Sequence, residues 1–147
     1  MEYEAGTILL IHDYRLPTQQ KDKFFIVLGS DADGIRLLSM TTSKIYFDVS
    51  LLKHGPITDR DLSVYCFEAK RVIGQNGFFF RKHTIVSHRQ NIHYFDTNRF
   101  SAYKIEFLDV LRKEELIDFL YSFYTYKGTK KKDKLLLEGI LSALASC

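Results

Sequence analysis

Two lysines and a run of hydroxyl side chains are the residues of this sequence that could do chemistry on a phosphate. Lys21 and Lys23 flank Asp22, and Thr41-Thr42-Ser43 follows later in the chain. Ammonium groups can offset the charge that develops on a phosphorane, and hydroxyls can donate to phosphate oxygens. The same residues also have simpler interpretations. Solvated loop lysines are common, and hydroxyl side chains often cap turns by bonding to the backbone.

A longer stretch, from Lys70 to Lys104, combines positive charge with aromatic rings. Proteins that hold single-stranded nucleic acid use cations along the backbone and rings on which bases stack. Strand alternation would give a similar pattern, with the rings in the core and the charges at the solvated edge of a barrel. The stretch contains a single acid, Asp96, against seven cations (Lys70, Arg71, Arg81, Lys82, Arg89, Arg99 and Lys104), and its rings are Phe78, Phe79, Phe80, Tyr94, Phe95, Phe100 and Tyr103.

The histidines are not spaced like metal ligands. His83, His88 and His93 are five residues apart, which places neighbours on opposite faces of a strand or about 140° apart around a helix. Since no cysteine pair accompanies them, we expect neither a metal site nor another cofactor. His12 and His83 are candidate general bases, because an imidazole titrates close to neutral pH.

Most of the elements that must position these residues are predicted to be strands. A polar loop is predicted over Asp13–Lys23 and tight turns at Gly29–Gly34 and Asn76-Gly77. The expected core includes Ile26, Leu28, Leu37 and Val49. The predicted strands are Thr7–Ile11, Phe24–Leu28, Ile35–Met40, one that starts at Ile45 and continues to Val49, Val64–Phe67, Arg71–Ile73, Phe78–Phe80, Thr84–Val86, Ile92–Phe95 and Tyr103–Phe107.

Helical periodicity begins near the end of the chain. Apolar residues recur at helical spacing in Asp109–Tyr126 and again in Leu135–Ala145, with the basic link Thr129–Lys134 between them. We therefore expect one α+β domain over residues 1–147, with a small barrel or strongly bent sheet in residues 1–107 and two C-terminal helices in residues 109–147.

Composition narrows the class of protein further. The net charge of +3 is too small to indicate a nucleic-acid or membrane partner by itself. Cys66 lies in an apolar run, which predicts a buried free thiol. No stretch has the roughly 18 apolar residues of a membrane span, and the start of the chain does not read as a signal peptide. We expect a cytoplasmic protein without a membrane partner.

Three short motifs in the first third of the chain match a known pattern. Gly6-Thr7-Ile8-Leu9-Leu10 is similar to an opening strand that begins G-D-I, and Lys23–Leu28 stands in place of R-P-x-L-V-V. Thr42-Ser43 and the residues up to Val49 are similar to a T-S segment and its following strand. In these motifs the chain resembles the MazF/PemK family of toxin endoribonucleases.

The resemblance implies an SH3-like β-barrel, a homodimer, an antitoxin protein as partner, and cleavage of single-stranded RNA without a metal ion. In the family, an arginine after the first loop and the threonine of the T-S pair act at the scissile phosphate. These roles would fall to Lys23 and Thr42. For RNA binding, we expect Lys21, Ser43, Arg81, Lys82 and Arg89.

The sequence also departs from the family pattern. Both residues of the R-P pair are replaced, and two helices are predicted where the family usually has one. A lysine can neutralise a phosphate as a point charge but lacks the planar bidentate fork of arginine. The alternative is therefore a non-catalytic module on the same fold that binds nucleic acid or a protein, in a bacterial toxin–antitoxin or phage-defence system.

Overall fold

This computed structural model describes residues 3–146 of the chain, which contain eight strands and three α-helices. The strands are β1 Thr7–Arg15, β2 Gln20–Ser30, β3 Arg36–Met40, β4 Gly55–Asp59, β5 Leu62–Phe67, β6 Thr84–Ser87, β7 His93–Phe95 and β8 Ile105–Val110. The helices are α1 Thr97–Ser101, α2 Lys113–Thr125 and α3 Lys131–Ala145, and a 3₁₀ turn spans Val49–Leu51.

The strands form two antiparallel sheets. The larger sheet has the order β7-β3-β2-β1-β8, and the smaller has the order β4-β5-β6. The sheets meet where Thr42, just after β3, pairs with Ile85 of β6 through two backbone hydrogen bonds of 2.9 and 2.8 Å. In residues 3–146 they do not close into a barrel. The predicted α+β class and the two C-terminal helices are confirmed.

Helix α2 fills the space beside both sheets. Its apolar stripe, which includes Phe119, Leu120 and Phe123, is fully buried in one cluster with Ile26 of β2 and Tyr65 of β5. Burial of such a stripe is the main source of stability for a helix of this length. Helix α3 packs on the same cluster through the buried Leu137 and half-buried leucine and isoleucine side chains.

Polar contacts also attach α2 to the smaller sheet. The Glu115 carboxylate accepts from the Tyr65 hydroxyl and lies 2.8 Å from Nε2 of His54. Ser122 lies 2.8 Å from Nε2 of His88, whose Nδ1 is 2.7 Å from the hydroxyl of Ser63. Burial lowers the pKa of His88 to about 4, so that ring is neutral at neutral pH.

The predicted loop over Asp13–Lys23 is wrong for most of its length. Strand β1 continues to Arg15 and β2 starts at Gln20, so only residues 16–19 connect them. Tyr14 pairs with Lys21 after a register shift at which Asp13 adopts φ +50°. Composition suggested a loop because polar residues dominate here, yet an antiparallel hairpin with one exposed side accepts polar side chains readily.

Three segments that were predicted to be strands do not form strands within the described residues. The segment from Ile45 to Val49 is irregular, and Val49 is 69% exposed instead of buried. Arg71–Ile73 and Phe78–Phe80 are joined by backbone hydrogen bonds around the predicted Asn76-Gly77 turn without forming regular strands. Conversely, β4 was not predicted; it begins at Gly55-Pro56, and proline is tolerated in an edge strand.

Helix boundaries also differ from the prediction. Asp109 and Val110 end β8, and α2 begins at Lys113 with Glu114 and Glu115 in its first turn. Helix α3 begins at Lys131, inside the predicted basic link. The short helix α1 was not predicted; Asp96 caps its N-terminus through a bond from the Arg99 amide. Within residues 3–146, no helix combines the length and apolar character needed to cross a membrane.

Candidate nucleic-acid site

A cleft of about 470 Å³ opens where three chain segments meet. The segments are the start of β2, the corner after β3, and the stretch that leads into β6. The Thr42–Ile85 pairing brings the last two together, and a bond of 3.0 Å from the Thr41 amide to the Phe24 carbonyl attaches the corner to β2. The cleft is lined by Lys21, Asp22, Lys23, Phe24, Thr41, Thr42, Ser43, Lys44, Phe78, Phe79, Phe80, Arg81, Lys82 and Thr84.

The hairpin of β1 and β2 places the two predicted lysines. Lys21 and Lys23 are two residues apart on β2, so they share one face of the strand. Lys21 is exposed and Lys23 is half-buried. Burial and the neighbouring Lys21 ammonium lower the pKa of Lys23, because both disfavour a charged amine there.

The three consecutive hydroxyl side chains of Thr41, Thr42 and Ser43 make different contacts. Thr41 is buried, and its hydroxyl donates to the Phe24 carbonyl at 3.1 Å, so it serves the fold. The Thr42 hydroxyl accepts a bond of 3.1 Å from the Lys44 amide, which is the turn-capping contact considered above. That contact uses an oxygen lone pair and leaves the hydroxyl proton free to be donated into the cleft. Ser43 beside it is exposed.

The opposite wall of the cleft, residues 78–82, follows a turn that the carboxylate of Asp109 stabilises. Asp109 is 1% exposed. It accepts from the backbone amides of Asn76, Phe78 and Val110 at 2.7–3.1 Å, and from the Asn76 side-chain amide at 3.2 Å. Gly74 lies against it so closely that a Cβ atom would be 2.1 Å from Oδ2. This turn fixes where the chain from Phe78 to Lys82 begins.

Rings form the apolar part of the cleft. Phe24, Phe78 and Phe80 contact one another edge-to-face, with ring centroids 5.1–6.1 Å apart. Phe80 is only 5% exposed, whereas Phe79 is 43% exposed. Of the rings of this stretch that line the cleft, Phe79 is the exposed one, Phe78 is half-buried and Phe80 is buried.

Charge is strongly concentrated here. Five cationic side chains line the cleft (Lys21, Lys23, Lys44, Arg81 and Lys82) against one carboxylate, Asp22. Their excess of four positive charges exceeds the net charge of the whole chain, which is +3. Among residues 3–146, none of the five lies within 4.0 Å of a carboxylate oxygen. An anion is the ligand that this electrostatic environment favours.

Six of the seven predicted site residues line this cleft: Lys21, Lys23, Thr42, Ser43, Arg81 and Lys82. Arg89, the seventh, lies in the turn after β6 and does not line it. Arg99 serves the fold, since it donates to the Tyr94 carbonyl and the Tyr14 hydroxyl and covers the Phe95 ring. The basic stretch is therefore not one continuous binding face.

Neither candidate general base lines the cleft. His12 lies between Glu106, at 3.2 Å, and Asp22, at 3.5 Å. His83 accepts a bond from the Ala69 amide at 3.1 Å. Within the described part of the chain, no group of three histidine, cysteine or acidic residues is placed to hold a metal ion.

Sequence reasoning missed two features of the site. Lys44 follows the hydroxyl run directly and could have been included on proximity alone. Asp109 was assigned to a helix, and no local pattern reveals that its carboxylate organises a turn more than thirty residues earlier in the chain.

We expect Asp109→Asn to lower the free energy of unfolding by about 2–3 kcal/mol, because the amide presents a donor to backbone N–H groups that need an acceptor. Chemical denaturation measures the change. Asp61→Asn is the matched control, since Asp61 is exposed in the turn between β4 and β5, and it should change stability by less than about 0.5 kcal/mol. Equal stability of the two variants would contradict the role assigned to Asp109.

The lowered pKa of Lys23 predicts how anion binding depends on pH. As the pH rises from about 7 towards 10, Lys23 should lose its proton before an ordinary lysine does, which weakens binding of a polyanion. Lys23→Arg should move that loss to higher pH, because a guanidinium stays charged. The dissociation constant of a labelled 2′-O-methyl oligonucleotide, measured across this range, tests the prediction. Superimposable profiles for the two proteins would show that Lys23 does not contact the anion.

No protein-family model, curated protein or solved structure matches the chain. The side chains that line the cleft supply ammonium and guanidinium groups, hydroxyls, one carboxylate and an exposed phenyl ring.

Proposed function

We propose that the protein binds single-stranded RNA in this cleft and cleaves it without a metal ion, as a toxin endoribonuclease similar to the MazF/PemK family. The observation that carries the proposal is the cleft itself, in which five cations and an exposed ring surround a space with one carboxylate. A polyanion with stacking bases is the ligand that complements such a surface.

The proposed reaction places the scissile phosphate between Lys23 and Thr42. The neutral amine of Lys23 takes the proton of the adjacent 2′-hydroxyl, whose oxygen attacks phosphorus. The resulting ammonium stabilises the phosphorane and then returns the proton to the departing 5′-oxygen. The Thr42 hydroxyl, oriented by its bond from the Lys44 amide, donates to a non-bridging oxygen. A lowered pKa of Lys23 favours this role, since it increases the fraction of neutral amine near neutral pH.

Other residues have binding roles in this proposal. Lys21, Ser43, Arg81 and Lys82 hold the phosphates on either side of the scissile one. The products are a 2′,3′-cyclic phosphate and a free 5′-hydroxyl, because the attacking oxygen belongs to the RNA. RNA that lacks 2′-hydroxyls should bind without being cleaved.

A second candidate is a module that binds nucleic acid, or a partner protein, without cleaving. It is favoured by the absence of histidine from the cleft lining, which leaves lysines and Asp22 as the groups able to exchange a proton. Asp22 already accepts a hydrogen bond from the Asp13 amide. The Thr42 hydroxyl would then act only as a turn cap.

The wider assignments follow from the same proposal. We place the protein in the cytoplasm, as a homodimer in a bacterial toxin–antitoxin or phage-defence system, with an antitoxin protein as a further partner. For the fold, we propose an open form of the SH3-like barrel. The joining of a five-stranded and a three-stranded antiparallel sheet at Thr42 supports this, because a bent antiparallel sheet is the basis of small barrels.

Substitutions on the two sides of the cleft separate cleavage from binding. Lys23→Ala and Thr42→Ala should each abolish cleavage of single-stranded RNA in EDTA. Thr42→Ala should leave affinity nearly unchanged, and Lys23→Ala should lower affinity only slightly, by no more than deprotonation of Lys23 does. Arg81→Ala combined with Lys82→Ala should weaken binding and reduce the salt dependence by about 0.7 in log–log slope per lost phosphate contact. Sequencing the new RNA ends measures the first effect, and titration at several salt concentrations measures the second.

The matched control for the double variant is Arg89→Ala combined with Lys104→Ala, which removes two exposed charges outside the cleft. It should leave both affinity and cleavage unchanged. Binding without cleavage by the wild-type protein, unaffected by Lys23→Ala and Thr42→Ala, would support the second candidate. If the wild-type protein neither binds nor cleaves RNA, both nucleic-acid functions are wrong.

A further inference from the structure

The exposed ring of Phe79 in the cleft is not explained by packing within the fold. The segment Phe78–Phe80 is tied to the preceding chain, with the Phe78 carbonyl accepting from the Ile73 amide and the Phe80 carbonyl accepting from the Lys70 amide. Phe80 is buried in the core and Phe78 is half-buried against it, whereas Phe79 is exposed.

The surroundings of Phe79 differ from those of an ordinary core ring. It is 43% exposed, and within residues 3–146 it makes no ring–ring contact. Arg81 and Lys82 follow two and three residues later and line the same cleft. An apolar protein partner would leave these cations buried and unpaired on association, which is costly. A flat, weakly polar ligand that carries its own negative charge would satisfy both the ring and the cations.

We propose that Phe79 is the stacking platform for a single unpaired nucleobase whose neighbouring phosphate is held by Arg81 and Lys82. The inference rests on the proposed function for its ligand class, nucleic acid, and is independent of whether the RNA is cleaved. It adds to that function the position at which a base binds and the feature of the base that this position recognises.

Phe79 selects a base that has one face free for stacking. Inside a duplex both faces of a base are covered by its neighbours, so such a base cannot stack on Phe79 unless it is extruded. Stacking on a phenyl ring tolerates every base, because each has a π-face. The subsite therefore discriminates single strands from duplexes, with little dependence on sequence.

The absence of tryptophan from the chain makes the inference directly measurable. Phe79→Trp introduces one reporter whose fluorescence is quenched when a base stacks on it. The control is Phe107→Trp, because Phe107 is a ring of similar exposure, 50%, on β8 and does not line the cleft. The probes are an uncleavable 2′-O-methyl oligouridine of about eight nucleotides, an RNA duplex of equal charge, and inorganic polyphosphate.

Oligouridine should quench the fluorescence of the Phe79→Trp variant, whereas duplex and polyphosphate should bind this variant without quenching it. No probe should quench the fluorescence of the Phe107→Trp control. Phe79→Ala should raise the dissociation constant for oligouridine by about 5- to 150-fold, equivalent to about 1–3 kcal/mol. Phe79→Tyr should restore affinity to near the wild-type value. Affinity for polyphosphate should not differ among the wild-type, Phe79→Ala and Phe79→Tyr proteins.

Two results would overturn the inference in distinguishable ways. If oligouridine binds the wild-type protein but leaves the Phe79→Trp variant unquenched, and Phe79→Ala binds it equally well, the stacking role is wrong and RNA binding stands. If oligouridine does not bind the wild-type protein at all, the proposed function and the stacking role fail together.

Discussion

The carboxylate of Asp109 fixes one wall of the cleft, and the geometry of the site depends on it. A buried carboxylate is stable only when hydrogen bonds replace the water that it has lost. Here three backbone amides and one side-chain amide do so, and they come from the Gly74–Phe78 turn as well as from β8 itself. The turn is thereby anchored to the sheet edge, and the residues that follow it reach the cleft in a defined order.

The cleft itself results from the way the two sheets meet. Pairing at Thr42 joins the end of β3 to β6, so the hydroxyl corner and the basic segment before β6 become neighbours. The β1–β2 hairpin adds Lys21 and Lys23 from the larger sheet. Like charges gathered in this way repel one another and disfavour the unliganded state. A bound polyanion would relieve that repulsion, and this is why we propose nucleic acid rather than a neutral ligand as the occupant of the cleft.

Much of this arrangement could be predicted from the sequence. The apolar runs Thr7–Ile11 and Phe24–Leu28 predicted the central strands, and the helical periodicity after residue 109 predicted α2 and α3, because burial patterns are local signals. Six of the seven site residues predicted from the sequence line the cleft. What failed has more than one cause. The polar half of the β1–β2 hairpin has the composition of a loop, although its paired residues Tyr14 and Lys21 are close in the chain. Val49 was expected in the core from its apolar character but is exposed, and the role of Asp109 depends on partners more than thirty residues away.

The most direct test of the account is to locate bound RNA on the protein. Single-stranded RNA that carries 4-thiouridine can be crosslinked by near-ultraviolet light, and mass spectrometry then identifies the attached peptides. We predict crosslinks within residues 78–82, with further attachment in residues 21–24 or 41–44, and their loss when unlabelled single-stranded RNA competes. Crosslinks concentrated on β8, on α3 or around Arg89 instead would contradict the claim that this cleft is the nucleic-acid site.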